Sequence, residues 1–427
     1  MRVVVLGAAV SGKAAARLAL RLGHDVLVYD RDTAALDAVP DGAERAGGDW
    51  DARTLDGADL VVTSPGIPER AVPINDALAA SAPLVSELEF AASHLQSPYV
   101  AVTGTNGKTT VAEATAAMLT AGGLNACAAG NVGLALSDVA LDRWDCVAVE
   151  ASSFQLRFID RFHPKAAAIL NIAPDHLDWH GGFDAYRTAK ARIFENQTGE
   201  DVLVFDANDR VASEVAGNAI ARRVPAAGDR LPAGGNGPDG TDLVIGATRF
   251  AKPDLDKVWL LDLTIAATLA TAVGGPPAGV AHVLAGFAPA VHRRTLVAEH
   301  GGVAWVNDSK ATNPHAAVQA AGAYRSVVLI AGGRNKGLDL RPMVAVRTVR
   351  HVVAIGEAAG ELVAAGGDKV TTAADMESAV RTAADLALPG DTVLLAPGCA
   401  SFDMFEDYQV RGEVFTRVVK QLGGEGS

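Results

Sequence analysis

Short apolar runs alternate along the chain with longer amphipathic or alanine-rich segments. Near the N-terminus, runs at residues 3–6, 26–29 and 60–63 are typical of buried strands, and residues 11–22 have the pattern of a helix. Strands that alternate with helices predict a parallel sheet whose strands are joined by right-handed crossovers. The fold class indicated by this pattern is α/β.

The same alternation begins again twice further along the chain. Predicted strands of a second sheet lie at residues 99–102, 146–150, 166–171 and 202–205. Predicted strands of a third sheet lie at residues 327–331, 352–355 and 392–396.

A chain of 427 residues is too long for one hydrophobic core, because domains usually span about 100–200 residues. We therefore predict three domains, at residues 1–95, 96–285 and 286–427. The stretch from about 225 to 240 is rich in Gly, Pro and Asp and predicts a surface loop.

Composition and charge narrow the classes of function. With 37 basic and 50 acidic residues the formal net charge is −13, which argues against nucleic acid or an anionic membrane as the main partner. Cys127, Cys146 and Cys399 lie far apart and form neither a disulfide framework nor a metal-ligand pattern. No signal-peptide pattern follows Met1, and no uncharged apolar run reaches about 18 residues. We expect a cytoplasmic protein.

The segment at residues 103–110, Thr-Gly-Thr-Asn-Gly-Lys-Thr-Thr, lies between a predicted strand and a predicted helix. Successive backbone N–H groups there can surround phosphate oxygens, Lys108 adds a positive charge, and Thr109 supplies a hydroxyl group for Mg²⁺. The general motif G-x-x-x-x-G-K-[ST] would need glycine where the chain has Val102, so that motif is not matched. A glycine turn with a chance lysine is the alternative interpretation.

Acidic and imidazole groups follow two later predicted strands. Glu150 ends the strand at 146–150, and His176 follows the strand at 166–171 between Asp175 and Asp178. Open parallel sheets bind ligands at the carboxyl ends of their strands. Oxygen-rich surroundings with one imidazole suit Mg²⁺ better than zinc. Taken alone, Glu150 would more often be a helix-capping or surface acid, and a single histidine would more often be structural.

The shortened phosphate loop resembles that of the Mur ligases and the folylpolyglutamate synthetases. Four later segments resemble the Mur ligases, in particular the branch that adds D-glutamate. These segments are Val-His-Arg at 291–293, Val-Asn-Asp-Ser-Lys-Ala-Thr-Asn at 306–313, Ala-Gly-Gly-Arg-Asn-Lys-Gly at 331–337 and Ala-Pro-Gly-Cys-Ala-Ser-Phe-Asp-Met-Phe at 396–405. The diaminopimelate-adding relatives would show D-N-P-R in the last domain, and the sequence does not contain it.

The resemblance covers nearly the whole chain and implies a Rossmann-like N-terminal domain, a central P-loop ATPase-like parallel sheet and a Rossmann-like C-terminal domain. The implied activity joins D-glutamate to UDP-N-acetylmuramoyl-L-alanine with ATP through an acyl phosphate, with two Mg²⁺ sites. Lys190 matches a lysine that these enzymes carbamylate with CO₂. The implied catalytic residues are Lys108, Glu150, His176 and Lys190, and the implied metal ligands are Thr109, Glu150, His176 and Lys190.

The resemblance also implies binding residues for each substrate in a protein that we expect to be a monomer. For ATP these are Gly104, Thr105, Asn106, Gly107, Lys108, Thr109, Thr110, Arg293, Asp308 and Lys310. For the UDP substrate they are Val10, Ser11, Asp30, Arg31, Ser64, Gly66, Asn131, Ser152 and Gln155. For D-glutamate they are Thr312, Lys336, Ser401 and Phe402.

Some features leave alternatives open. The turn at 7–12 has the spacing G-x-x-x-x-G rather than G-x-G-x-x-G, which gives little support to a nicotinamide cofactor, and residues 64–67 would also suit a purely structural turn. Mur ligases usually carry an H-N-x-x-N element that helps bind adenine, whereas residues 258–267 contain no His-Asn pair. The alternative functions are a folylpolyglutamate synthetase-like ligase, an NAD-dependent oxidoreductase and a nucleotide-binding regulator without turnover.

Overall fold

The computed structural model describes residues 1–424. Its N-terminal sheet has five parallel strands in the order β3-β2-β1-β4-β5. The strands are β1 (Arg2–Leu6), β2 (Asp25–Asp30), β3 (Glu44–Gly47), β4 (Leu60–Thr63) and β5 (Leu84–Ser86). The accompanying helices are α1 (Val10–Arg21), α2 (Val72–Ala79) and α3 (Glu87–Ala92).

The central sheet has six parallel strands in the order β11-β10-β9-β6-β8-β7, and a separate antiparallel sheet contains β12, β13 and β14. The strands are β6 (Tyr99–Thr103), β7 (Ala126–Gly130), β8 (Cys146–Glu150), β9 (Ala166–Ile169), β10 (Val202–Asp206), β11 (Arg222–Ala226), β12 (Gly237–Asp239), β13 (Asp242–Ile245) and β14 (Thr248–Ala251). The helices are α4 (Lys108–Ala121), α5 (Leu136–Val139), α6 (Ser153–Leu156), α7 (Leu177–His180), α8 (Phe183–Ala191), α9 (Arg210–Ala216), α10 (Lys257–Ala272) and α11 (Pro277–Gly286).

The C-terminal sheet has six strands in the order β15-β16-β20-β17-β18-β19, and its β15–β16 pair is antiparallel. The strands are β15 (Thr295–His300), β16 (Val303–Asn307), β17 (Val327–Gly332), β18 (Val349–Ile355), β19 (Val370–Thr372) and β20 (Thr392–Leu395). The helices are α12 (Pro314–Ala321), α13 (Arg341–Ala345), α14 (Ala359–Gly366), α15 (Met376–Leu386) and α16 (Tyr408–Gly424).

The chain forms two compact units. The first unit comprises Met1–Ile172 and Trp179–Gly286, and the second comprises Ala173–Asp178 and the chain from Phe287 onward. Strands β1, β6 and β8 are buried along most or all of their length, as expected for parallel strands covered on both faces. Among residues 1–424, no helix combines the length and the apolar character that crossing a membrane requires.

The segment at 225–240 agrees with the predicted surface loop in its middle, where residues 229–235 are partly or fully exposed, but not at its ends. Its two ends belong to β11 and β12, and between them Asn236 is buried. The Asn236 amide donates to Thr268 Oγ1 at 2.8 Å and accepts from the Gly246 backbone at 2.8 Å. At its two ends the prediction was wrong, because the Gly and Pro content indicates chain reversals but not the remote partners of a buried side chain.

Two buried carboxylates of α3 join the N-terminal sheet to the central one. Glu89 accepts hydrogen bonds from three successive backbone N–H groups at 160–162, each at 3.0 Å. Glu87 is 0% exposed, and its Oε1 accepts from the Ser137 backbone at 2.8 Å. Burial raises the pKa of Glu87 to about 7, and hydrogen bonds from Ser137 partly oppose the rise. Folding therefore favours the protonated form of Glu87.

We expect Glu87→Gln to change how stability depends on pH. Because the pKa rises from 4.5 to about 7 on folding, the folded wild type retains a proton and loses stability as pH increases through this window. At pH values above this window, the loss in the free energy of unfolding approaches about 3 kcal/mol. Glutamine stays neutral, so the difference in unfolding free energy should shift in favour of the variant between about pH 5 and pH 8. Urea unfolding followed by tryptophan fluorescence measures this difference.

Glu113→Gln is the matched control, because Glu113 is an exposed acid on α4. The unfolding free energy of Glu113→Gln should differ from that of the wild type by the same amount at about pH 5 and at about pH 8. A pH-independent difference for Glu87→Gln as well would contradict the raised pKa.

Candidate functional site

The phosphate loop connects β6 to α4, and its main chain is held in a shape that requires glycine. Gly107 is the N-cap of α4, with φ 91° and ψ −18°. A Cβ atom there would lie 2.9 Å from both Asp262 Oδ1 and Leu170 Cδ1. The loop therefore presents backbone N–H groups at the start of a helix of 14 residues, an arrangement that binds phosphate.

Asn171 fixes the phosphate loop from the end of the neighbouring strand β9. Its Oδ1 accepts from the Asn106 backbone N–H at 2.9 Å, and its Nδ2 donates to the Asn106 carbonyl at 3.0 Å. The Asn171 carbonyl accepts from the Thr105 backbone at 2.8 Å. The hydroxyl groups of Thr105 and Tyr186 lie 3.0 Å apart. These contacts hold the loop before any ligand binds.

The side chains of two lysines contact the same loop. Lys108 Nζ donates to the carbonyls of Gly104 and Thr105 at 3.0 and 3.1 Å. Lys190 on α8 is only 2% exposed, and its Nζ donates to the Gly104 carbonyl at 2.7 Å. The Lys190 Nζ also lies 4.6 Å from the centroid of the Tyr186 ring. The structure therefore brings Lys190 to the phosphate loop, 86 residues away in sequence.

Glu150 lies at the carboxyl end of β8, next to β6, and its backbone pairs in register with Val102. Its Oε1 accepts from Asn131 Nδ2 at 2.9 Å. Its Oε2 is buried and has no hydrogen-bond partner in residues 1–424. A buried carboxylate oxygen without a partner fits a hard cation such as Mg²⁺, which often binds through one or two carboxylates together with phosphate and water. No group of three or more His, Cys, Asp or Glu side chains suited to a metal occurs in the described part of the chain.

Asp175 and His176 belong to the second unit. Asp175 Oδ1 lies 3.4 Å from Lys336 Nζ, and its Oδ2 accepts from Asn313 Nδ2 at 3.3 Å. His176 Nε2 lies 3.6 Å from Asp175 Oδ2, and His176 has φ 52°, in the left-handed region that is uncommon for a non-glycine residue. Lys336 thus already lies beside a carboxylate of its own chain.

The loops at 291–294 and 307–313 of the second unit contact each other. The Lys310 backbone donates to the His292 carbonyl at 3.2 Å, and Asp308 Oδ1 accepts from the Arg294 backbone at 3.3 Å. Lys310 Nζ lies 4.0 Å from the centroid of the Tyr408 ring. Arg293 is partly exposed beside them. The residues implied for ATP binding in this domain are therefore neighbours.

The residues implied for D-glutamate also lie on connected loops. Arg334 and Ala400 exchange two backbone hydrogen bonds at 2.9 and 3.0 Å, which joins the loop of Lys336 to that of Ser401 and Phe402. Gly398 donates to the Ala311 carbonyl at 2.8 Å, next to Thr312. Ser401 is buried, whereas the Phe402 side chain is largely exposed.

In the N-terminal domain the glycine turn after β1 contacts the turn at 64–67. Ser64 is buried, and its Oγ donates to the Gly7 carbonyl at 3.3 Å. Asp30 accepts from the Ala8 backbone at 2.6 Å. The other residues implied for the UDP substrate in these turns are more accessible. Ser11 is half-buried, and the exposed ones are Val10, Arg31 and Gly66.

Ser152 and Gln155 form a capping box at the start of α6. Gln155 Oε1 accepts from the backbone N–H and the hydroxyl of Ser152 at 3.0 and 2.9 Å, and Ser152 Oγ accepts from the Gln155 backbone at 3.3 Å. Asn131 donates its backbone N–H to the Glu150 carbonyl at 2.9 Å. The first unit therefore holds Asn131 beside Glu150, and the capping box fixes Ser152, which lies two residues after Glu150.

Asp262 occupies the stretch that lacks the His-Asn pair. It lies on α10, is 6% exposed and approaches Gly107 of the phosphate loop. The chain therefore has a buried carboxylate at this position.

Three family models match successive parts of the chain. The MurD-like N-terminal domain of Mur ligases matches residues 1–86, the Mur ligase middle domain residues 102–227, and the glutamate ligase domain of Mur ligases residues 292–399. A UDP-N-acetylmuramoylalanine--D-glutamate ligase of Frankia casuarinae is 43% identical over 99% of this chain and 94% of the relative. One of Syntrophotalea carbinolica is 39% identical over 99% of this chain and 98% of the relative. The chain belongs to the Mur ligase family.

A solved structure supports the fold of this Mur ligase. The pseudomurein peptide ligase type C of Methanothermus fervidus aligns with a TM-score of 0.62 over 99% of each chain. Its sequence identity is 17%, so this likeness concerns the fold alone. The prediction of an α/β protein with Mur ligase architecture is confirmed.

Sequence reasoning gave no role to several residues that shape this site. Asn171 ended a predicted strand and Asp175 was one of two acids beside His176, but nothing in the spacing showed that Asn171 fixes the phosphate loop or that Asp175 pairs with Lys336. Asp262 was noted only as part of a stretch without a His-Asn pair. A polar residue directly after a buried strand is a signal that could have found Asn171.

We expect Gly107→Ala to impair both folding stability and ATP binding. Alanine would adopt an unfavourable positive φ, and its Cβ would also clash with Asp262 and Leu170. We expect the Kd for ATP, measured by titration calorimetry, to rise at least about tenfold, because the backbone N–H groups would move from the geometry that binds phosphate.

Gly123→Ala is the control, since Gly123 has φ 92° but no atom within 4 Å of its added Cβ. This substitution carries only the backbone cost of roughly 1–2 kcal/mol and should leave the Kd unchanged. ATP binding by Gly107→Ala equal to that of the wild type would show that the loop is not the phosphate site.

Proposed function

We propose that this protein is an ATP-dependent ligase that adds D-glutamate to UDP-N-acetylmuramoyl-L-alanine in peptidoglycan precursor synthesis. The observation that carries the proposal is the meeting of Lys108, Lys190 and the phosphate loop at the sheet edge of Glu150. Relatives of that name are similar to the chain over nearly its full length. We assign the UDP substrate to the domain at 1–95, ATP to the domain at 96–285 and D-glutamate to the domain at 286–427. We also propose that the protein is a cytoplasmic monomer.

The chemistry requires activation of a carboxylate. A carboxylate is a poor electrophile, and water would oppose its direct condensation with an amine. The alanyl carboxylate attacks the γ-phosphorus of ATP, forms an acyl phosphate and releases ADP. The amine of D-glutamate then attacks the acyl carbon through a tetrahedral intermediate, loses a proton and displaces phosphate. No covalent bond to the enzyme is required.

Phosphoryl transfer of this kind depends on positioning and on stabilising negative charge. The backbone N–H groups of the phosphate loop and the Lys108 ammonium would bind the phosphates. Lys108 Nζ donates to the carbonyls of Gly104 and Thr105, which places its ammonium at the phosphate loop. A phosphate is a stronger hydrogen-bond partner for an ammonium group than a neutral carbonyl is.

Magnesium would be held by Glu150 and the Thr109 hydroxyl, with His176 and carbamylated Lys190 as further ligands, and would neutralise charge on the phosphates. The support in the structure is the unpartnered Oε2 of Glu150. Lys190 is buried against the phosphate loop, where a carbamate would place an anionic oxygen donor. Carbamylation requires the neutral amine, which burial favours.

The D-glutamate site would use Thr312, Lys336, Ser401 and Phe402. Lys336 lies 3.4 Å from a carboxylate oxygen of Asp175, which shows that its ammonium can pair with an acid in this position. The incoming amino acid brings two carboxylates, and Lys336 would bind one of them.

The deciding experiment is phosphate release by the purified protein with Mg²⁺, bicarbonate and ATP. We expect release only when both UDP-N-acetylmuramoyl-L-alanine and D-glutamate are present, and we expect L-glutamate to be a much poorer substrate. Release with a folate substrate and L-glutamate would favour a folylpolyglutamate synthetase instead. NAD-dependent oxidation, or ATP binding without any phosphate release under all these conditions, would overturn the ligase proposal.

Lys190→Ala tests the proposed carbamate. We expect kcat to fall by at least about a thousandfold, because removal of an electrostatic group at a phosphoryl-transfer site typically costs about that much. Short carboxylic acids such as acetate should restore part of the activity by supplying the missing oxygen ligand.

Lys165→Ala is the control. Lys165 directly precedes β9, and its side chain is 57% exposed. It should retain wild-type kcat. Full activity of Lys190→Ala without acetate would exclude the carbamate.

A further inference from the structure

Arg411, near the start of α16, is a buried cation that no sequence motif indicated. Its residue exposure is 1%, and it forms no salt bridge among residues 1–424. Burial lowers the pKa of Arg411 to about 10, so the guanidinium remains charged at neutral pH. A buried charge of this kind is costly unless hydrogen bonds compensate it.

Three hydrogen bonds compensate Arg411, and all of them reach two loops of the proposed active site. Arg411 Nε donates to Ser309 Oγ at 3.0 Å, and Nη2 donates to the Ser309 carbonyl at 2.9 Å. Arg411 Nη1 donates to the Cys399 carbonyl at 3.1 Å. Ser309 lies between Asp308 and Lys310, and Cys399 lies two residues before Ser401. One guanidinium thus joins the loop proposed for ATP to the loop proposed for D-glutamate.

Neighbouring groups strengthen the attachment of α16 to the first of these loops. Ser309 Oγ donates to the Tyr408 carbonyl at 2.7 Å. Asn307 Nδ2 donates to the Gly412 carbonyl at 2.9 Å. A Cβ atom on Gly412 would lie 2.3 Å from His292 Nδ1, so glycine permits this close approach. The 307–309 segment is therefore bound to α16 at several points, whereas Arg411 also reaches the Cys399 loop.

We infer that Arg411 is a positioning residue that sets the spacing between Asp308 and Lys310 on one loop and Ser401 and Phe402 on the other. This inference rests on the proposed function, in which these loops bind ATP and D-glutamate. Arg411 is buried beneath them and acts through Ser309 and Cys399. Because the amine must attack an acyl phosphate made from ATP, a shift of about 1 Å between the loops would impair both substrates.

Lysine cannot replace this arrangement. Arginine offers five N–H donors in a rigid planar fork, whereas lysine has three donors on a single nitrogen at the end of a flexible chain. A single nitrogen cannot reproduce the spacing that joins Ser309 Oγ, the Ser309 carbonyl and the Cys399 carbonyl. Arg411→Lys therefore keeps the charge and loses the connection.

The experiment measures steady-state phosphate release and obtains a KM for each of the three substrates. We expect Arg411→Lys to raise the KM values for ATP and D-glutamate by about tenfold or more each, with the KM for UDP-N-acetylmuramoyl-L-alanine changed less than about twofold. Lys336→Ala is the comparator and should raise the KM for D-glutamate far more than that for ATP. Arg417→Lys, an exposed arginine on the same helix, is the control and should match the wild type.

Ser309→Ala is the second variant, in case Arg411→Lys does not fold. It removes the hydroxyl that accepts from Arg411 Nε and should raise the same two KM values by a smaller factor. Unchanged KM values in Arg411→Lys, or in Ser309→Ala if only that variant folds, would overturn the positioning role. An equal rise for all three substrates together with a lower Tm would indicate a general structural role and would overturn it too. A wild-type protein that releases no phosphate would instead contradict the proposed function itself.

Discussion

The exchange of hydrogen bonds between the Asn171 side chain and the Asn106 backbone is the contact on which the candidate site depends. The phosphate loop leaves β6, and Asn171 follows β9, the strand paired with β6 on one side. Glu150 ends β8, the strand paired with β6 on the other side. Because these strands are parallel, their carboxyl ends meet at one edge, and one amide side chain then fixes the loop there.

Backbone groups of loops stabilise several buried ionisable side chains in this protein. Glu89 accepts three successive backbone N–H groups, Lys190 donates to the Gly104 carbonyl, and Arg411 donates to the carbonyls of Ser309 and Cys399. Loss of such a side chain leaves buried backbone groups without partners, which costs about 1–3 kcal/mol for each group. These residues therefore make the loops rigid, and a rigid loop loses little entropy when it binds a ligand.

The sequence allowed prediction of elements whose signal is local. The strands at 60–63 and 146–150 have the predicted bounds, because apolar runs bordered by polar residues reflect burial directly. The position of Lys190 could be expected only from the family resemblance, since a helix lysine carries no local sign of contact with a loop 86 residues earlier. Arg411 could not be predicted at all, because Ser309, its main partner, is 102 residues away and no periodicity relates them.

Asp262 is a buried acidic side chain beside the phosphate loop. When ionised, an aspartate side chain can only accept hydrogen bonds. Asp262 lies against Gly107, the N-cap of α4, where the helix dipole favours negative charge. The same positive helix end would attract phosphate, so an ionised Asp262 would repel a nucleotide bound there. Under the proposed function, phosphate binding would therefore rely on the Lys108 ammonium and on the backbone N–H groups that Asn171 holds in place.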